Sequence, residues 1–147
     1  MNLMQLAEKS SAVRKDWSRF VDEVIHKAPK FVQRNERDVF VSMNMHYMSL
    51  LMDNIRYSVN IDYDAESNEY VGTMDDFWFV EAGETEDEVN RKLAEQLLNF
   101  ATDYYKDLNL YHTTPDFKKQ FPKVLKALVI DDVNGVIESF DVKHVRT

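Results

Sequence analysis

An α+β fold is expected for this chain, on three observations. Val13, Trp17, Phe20, Val21, Val24 and Ile25 recur at steps of four, three, one, three and one, which puts them on one face of a helix. Ile55, Tyr57, Val59, Ile61 and Tyr63 alternate strictly with Arg56, Ser58, Asn60, Asp62 and Asp64, the period of a half-buried strand. From Thr85, Val89, Leu93, Leu97, Phe100, Ala101 and Tyr104 share one face of a helix of about 20 residues. The expected order is helix, hairpin and small helix, then a small antiparallel β-sheet with a long helix.

The chain of 147 residues suits one domain or two small ones. With 44% hydrophobic, 12% aromatic and 30% charged residues it is too apolar to be disordered as a whole. It has no cysteine, which excludes disulfides and thiolate metal sites. The start, Met1 to Lys9, is not a basic region followed by an apolar core, so no signal peptide is expected. No apolar run approaches the ~20 residues of a membrane helix, so a cytoplasmic protein without membrane attachment is expected. The net charge of −8 is unevenly spread. Residues 1–54 carry eight basic and seven acidic groups, residues 55–107 four and fourteen, and residues 108–147 six and five. A cationic face for phosphate on the first third therefore remains open, because phosphate contact needs local cations only.

In chain order, residues 1–9 form a short strand or arm. One helix is expected over residues 11–27, capped by Ser10 or Ser11 and stopped by Pro29. Its first turn would carry Arg14 and Lys15, where outward amides and two cations suit a phosphate; a solvated helix face is the alternative. Lys30–Arg34 and Asp38–Ser42 form a hairpin around Asn35-Glu36-Arg37. Residues 46–54 form a small helix, with Met43, Met45, Met48 and Met52 read as dimer core.

This helix and hairpin resemble the N-terminal domain of Phd/YefM antitoxins. Ala12-Val13-Arg14-Lys15, Phe31-Val32-Gln33-Arg34, Val39-Phe40-Val41-Ser42 and Tyr47-Met48-Ser49-Leu50-Leu51 carry the resemblance. The family turn usually contains glycine; Asn35-Glu36-Arg37 replaces it, and asparagine can adopt the left-handed region. The resemblance implies operator DNA contacts by Arg14 and Arg34; Lys15 and Arg19 extend that cationic set. A domain of ~54 residues cannot hide these apolar faces alone. A homodimer through the hairpin and small helix would bury them and give the two-fold symmetry that a palindromic operator needs.

In the second part, residues 55–107, strands are expected at 55–64, 69–74 and 77–80, with a turn at Ala65–Asn68. Thr85 and Glu88 form a capping box at the start of the long helix. The order β-β-β-α, with Tyr57–Asp64, Tyr70–Met74 and Ala82-Gly83-Glu84-Thr85, resembles HicB-like antitoxin domains, which look like a partial RNase H fold. That likeness raises a metal-dependent nuclease using Asp62 and Asp64 as an alternative, since two-metal cleavage needs converging carboxylates. Both lie at a strand end beside a polar turn, where acids are ordinary. His26, His46, His112 and His144 form no ligand pair, and with only Gly72, Gly83 and Gly135 there is no glycine-rich phosphate loop. No catalytic residue, metal or cofactor is expected.

Residues 108–147 begin with a linker over 109–115. An amphipathic stretch follows, marked by Phe117, Phe121, Val124, Leu125, Leu128 and Val129 and split or kinked at Pro122. A turn at 130–135 and a strand at 136–142 end the chain. This segment either completes the sheet of the middle domain or is a toxin-binding tail, with Phe117, Phe121, Leu125 and Leu128 as contacts. Pro122–Asp131 resembles the C-terminal part of RelB-class antitoxins, which adds to the second reading. The whole reads as a type II antitoxin that binds its operator as a dimer. It would occlude a basic ribonuclease toxin, RelE-like or HicA-like, by charge complementarity. A homodimeric interaction module without DNA binding is the further alternative.

Overall fold

A computed structural model describes residues 2–145 of the chain. It is α+β and forms two compact units, one ending at Leu51 and the next beginning at Met52.

Where a short strand or arm is expected over residues 1–9, the first unit opens with a helical turn, α1 (Leu3–Leu6), and only Glu8–Lys9 is a strand. Asn2 and Gln5 cap α1 reciprocally: each side-chain oxygen accepts the other's backbone N–H, at 3.2 and 3.0 Å. Strand β1 (Glu8–Lys9) then leads into α2 (Ser10–Lys15) and α3 (Trp17–His26). The single helix expected over 11–27 is therefore two. Asp16 breaks it with non-helical angles (φ −137°, ψ 66°), and its carboxylate accepts the Arg19 N–H at 3.3 Å. A short acid bonds a nearby amide as readily as it continues a helix; the apolar stripe runs through the break unchanged and hides it. Strands β2 (Lys30–Gln33) and β3 (Val39–Ser42) form the expected hairpin, with β1 parallel to β2 on the other side. The turn does not use the left-handed region at Asn35. Asn35 instead accepts the Arg37 and Asp38 N–H groups through Oδ1, both at 2.9 Å, which folds the backbone without glycine. Helix α4 (Met45–Leu51) is capped by Asn44, whose Oδ1 accepts from Tyr47 N–H and whose amide donates to the Ile25 carbonyl, each at 2.9 Å. The core of this unit is Val13, Phe20, Val24 and Val32.

In the second unit β4 (Tyr57–Asp64), β5 (Glu69–Met74) and β6 (Val80–Gly83) are antiparallel neighbours. Tyr57, Val59 and Ile61 are buried, as the alternation requires. The tight turn before β5 places Asn68 at φ 56°. The third strand begins at Val80, later than expected, because Phe77 and Phe79 leave the ladder and stack on each other (5.0 Å, 11°) in the core. Helix α5 (Glu86–Lys106) packs on β5 and β6 along Val89, Leu93, Leu97, Phe100, Ala101 and Tyr104. Thr85 caps it, accepting from Glu88 N–H at 3.1 Å, while the Glu88 carboxylate accepts from Glu84 N–H (3.0 Å), one residue before the position a capping box would use. β5 approaches α5 so closely that a Cβ at Gly72 would lie 2.4 Å from Val89 Cγ1.

The expected linker is helical: α6 (Leu108–Tyr111) and α7 (Pro115–Lys119) precede α8 (Phe121–Ile130), so Pro122 does divide two helices. The expected strand over 136–142 is instead α9 (Val133–Glu138), capped by Asp132, followed by β7 (Phe140–His144). Asp131 turns the chain at φ 50°, and Asp132 accepts the Gly135 N–H at 3.0 Å, which starts a helix where the apolar residues alone suggested a strand. β7 lies parallel to β4, from Tyr57 opposite Phe140 to Ile61 opposite His144, giving the sheet order β6-β5-β4-β7. Of the two readings of the C-terminal segment, sheet completion holds for this strand.

Candidate binding surfaces

The first unit brings its cations together differently from the sequence expectation. Arg14 and Lys15 are exposed, but in the last turn of α2 and not at a helix start, so that helix offers no free amides beside them. Arg19 is the centre of an ion-pair network. Its guanidinium reaches Glu23 at 2.8 Å, Glu8 at 3.2 Å and Asp16 at 3.6 Å. Hydrogen bonds to Glu8 and then Glu23 hold Arg19 above its ordinary pKa. Burial pushes the Glu23 carboxyl up, but bonds from Lys30 (3.3 Å) and Arg19 prevail and leave it below the usual carboxylate range. Arg34 is exposed where the hairpin turn begins, its N–H donating to the Asp38 carbonyl at 2.9 Å. Among the described residues, Arg14, Lys15 and Arg34 form no ion pair.

Around the small core of the same unit, a large apolar set stays open. Phe40 and Val41 on the edge strand β3, and Met45, Leu50 and Leu51 on α4, are all exposed, Leu51 at 68%. Trp17 is exposed at the start of α3. A lone unit of this size does not normally present so much apolar area.

In the second unit, Asp62 and Asp64 lie on β4 at its end beside the turn. Asp64 is occupied by the turn, accepting from Glu66 N–H (3.0 Å) and Ser67 Oγ–H (3.1 Å). Among the described residues no group of three or more His, Asp or Glu side chains is arranged to hold a metal ion. Phe117, Phe121, Leu125 and Leu128 are each half-buried, and Phe117, Phe121 and Leu128 pack on the core of the unit. The free amphipathic stripe expected there is thus largely used internally. The Tyr104 hydroxyl donates to the Phe117 carbonyl at 2.7 Å and the Tyr57 hydroxyl to the Lys123 carbonyl at 2.5 Å, tying α7 and α8 down. Burial pushes both phenols above their ordinary pKa. The Lys126 ammonium donates to the Ile55 carbonyl from a buried position, and burial, with Arg56 nearby, lowers its pKa.

Trp78 is a further exposed residue, outside the expected contacts. Taken as a strand residue, it instead stands exposed on the rings of Phe79, Phe100 and Phe117. Its aromatic neighbours in sequence were the available signal, but they do not say which ring turns outward.

Comparison with known proteins bears on the family of the chain. The model of the PHD-like family, described as antitoxin of toxin–antitoxin, RelE/RelB, TA system, matches residues 4–142. No curated protein matches the chain. The chain is similar to a crystal structure, at 1.80 Å resolution, described as the antitoxin part of a toxin/antitoxin system from Syntrophomonas wolfei subsp. wolfei. The TM-score is 0.89 and the identity 29%, with 95% of this chain and 99% of that chain covered.

Proposed function

Because the chain belongs to the PHD-like family of toxin–antitoxin antitoxins, we propose that it neutralises a cognate ribonuclease toxin by direct binding and represses its own operon through operator DNA. It is a non-enzymatic regulatory protein of the cytoplasm in this reading. The family match across residues 4–142 carries the antitoxin assignment.

The first unit is the Phd/YefM-like part. Its exposed Phe40, Val41, Met45, Leu50 and Leu51 support a homodimer that covers them. Of the four expected DNA contacts, Arg14, Lys15 and Arg34 remain to meet phosphate. Arg19, held by three carboxylates, serves by fixing α3 against β1 and adds little charge of its own. The second unit is the HicB-like part with a RelB-like C-terminal helix. Its acidic excess over residues 55–107 supports a basic partner of the RelE or HicA kind, held by occlusion of its RNA-binding face. Of the four proposed toxin contacts, Phe117 is continuous with the exposed Trp78. Phe121, Leu125 and Leu128 offer only their outward edges.

The test is co-expression with a RelE-type ribonuclease. A stable complex in which the nuclease is inactive is expected. Two proteins that purify apart, with the nuclease active in the mixture, would remove the toxin-neutralising reading for that class of partner.

A further inference from the structure

Strand β7 (Phe140–His144) ends its sheet: it pairs with β4 on one side, and among the described residues no strand lies on the other. Residues 141–145 are all exposed, Val142 at 37% and Val145 at 48%. Two hydrogen bonds show which backbone groups face the open side. Tyr57 N–H donates to the Ser139 carbonyl and Val145 N–H to the Ile61 carbonyl, both at 3.0 Å, so residues 139 and 145 turn toward β4. Alternation along the strand turns the N–H and C=O of Phe140, Val142 and His144 the other way. The Phe140 carbonyl has one long contact, 3.4 Å from Arg56 Nη2, which leaves it a second lone pair. Such a row of outward amides and carbonyls is a template for one more strand.

We infer that β7 pairs with β7 of a second copy of this chain, antiparallel about a two-fold axis at Val142, so that the two four-stranded sheets run on as one. The outward groups of Val142 then bond the same groups of the second copy, and those of Phe140 bond those of its His144. Charge selects this register. In it Asp141 stands opposite the second copy's Lys143, at the positions where cross-strand side chains come closest. An axis at residue 141 or 143 would instead set acid against acid or ammonium against ammonium. Asp141 gives Oδ1 to Arg56 Nε at 2.8 Å and keeps Oδ2, and Lys143 has no ion pair among the described residues. Phe140, Val142 and His144 share the sheet face of the buried Tyr57, Val59 and Ile61. Val142 is the exposed edge of that apolar row, and the second copy's Val142 covers it. A lysine on an edge strand repels a basic neighbour; the acid two positions before it removes that repulsion for a copy of the same strand. A pair of five-residue strands buries little beside a standard interface, so the association is of the weak, concentration-dependent class. It is separate from the dimer proposed for the first unit and rests on neither the operator nor the toxin reading.

The chain has no cysteine, so one introduced thiol reports one contact. The full-length Val142→Cys variant is oxidised mildly over a range of protein concentrations. Ala65→Cys, exposed in the turn between β4 and β5, is the control. In the proposed register the two Cα atoms of residue 142 lie ~5.5 Å apart, within disulfide reach. Disulfide-linked dimer should therefore form at least about tenfold faster from Val142→Cys than from Ala65→Cys, at a rate that rises with protein concentration. Adding Lys143→Asp, an exposed substitution, sets two acids opposite each other and should bring the cross-link down to the control level. Adding Asp141→Lys as well restores opposite charges and should restore the cross-link. Equal cross-linking from Ala65→Cys, or a rate that Lys143→Asp leaves unaltered, overturns the pairing; the edge is then one that Lys143 protects or that a strand of another protein takes. The Val142→Cys measurement is repeated with Phe40→Glu and Leu51→Glu present. A cross-link that persists there separates β7 pairing from the first-unit dimer. Its loss there means that β7 only lies near its copy in a dimer held elsewhere, and overturns the inference while leaving the first-unit dimer standing.

Discussion

Single side chains decide this fold where backbone groups would otherwise lack partners. Thr85 and Glu88 satisfy the start of the longest helix, so Thr85→Ala should lower the stability of the second unit by about 1 kcal/mol in urea unfolding; an unchanged midpoint would show that water replaces the hydroxyl without cost. Glu23 makes a prediction about pH. Its folded pKa lies below its unfolded value, so unfolding takes up a proton there. The stability it contributes is complete above the ordinary carboxylate range and is lost as pH falls through that range and below. Glu23→Gln should therefore flatten the acid limb of the stability profile, and an acid limb of the same slope in the variant would contradict the network. Asn35 and Asp16 show what is legible at this scale and what is not. The turn at Asn35 is visible in the sequence, but its mechanism is a side-chain acceptor and not positive φ. Asp16 is an ordinary polar residue in a helical pattern, and only its bond to Arg19 N–H reveals the break.

At the scale of elements, periodicity located what burial dictates. The alternation of β4 and the apolar face of α5 were readable because each buries one face against the other's layer. Local hydrogen bonding or tertiary contact overrode the pattern elsewhere. Phe77–Phe79 is apolar because it packs under α5, not because it pairs in a ladder. Residues 133–138 are helical because Asp132 caps them, although their apolar residues suit a strand. β7 joins β4 from far along the chain, a pairing that no local window contains. The closest approach between elements gives a direct test: Gly72→Ala places a methyl group against Val89 and Leu93 and should cost about 1–3 kcal/mol by overpacking. A neutral effect on thermal unfolding would mean that α5 can shift away from β5. Leu97→Ala, with no exposed surface to relax into, should cost about 2–5 kcal/mol.

For the whole molecule, charge and apolar area are divided along the chain. Acid concentrates in the second unit, while the first combines exposed cations with an apolar surface too large for its four-residue core. The sequence already showed the charge division and the need for a partner surface. It did not show that Arg19 is internally neutralised, because Glu8 lies eleven positions away and meets it only after β1 docks beside β2. If the first unit dimerises through β3 and α4, Leu51→Glu together with Phe40→Glu should move sedimentation from dimer to monomer. A dimer that survives both changes would place the interface elsewhere.

The most direct measurement is anisotropy of the full chain on its own upstream promoter DNA at two salt concentrations, for the wild type and Arg14→Ala. Sequence-specific binding by a dimer that weakens steeply with salt is expected. In Arg14→Ala the binding should be weaker, with a log–log salt slope reduced by about one. No binding at low salt, or a slope that Arg14→Ala leaves unaltered, would contradict the operator reading.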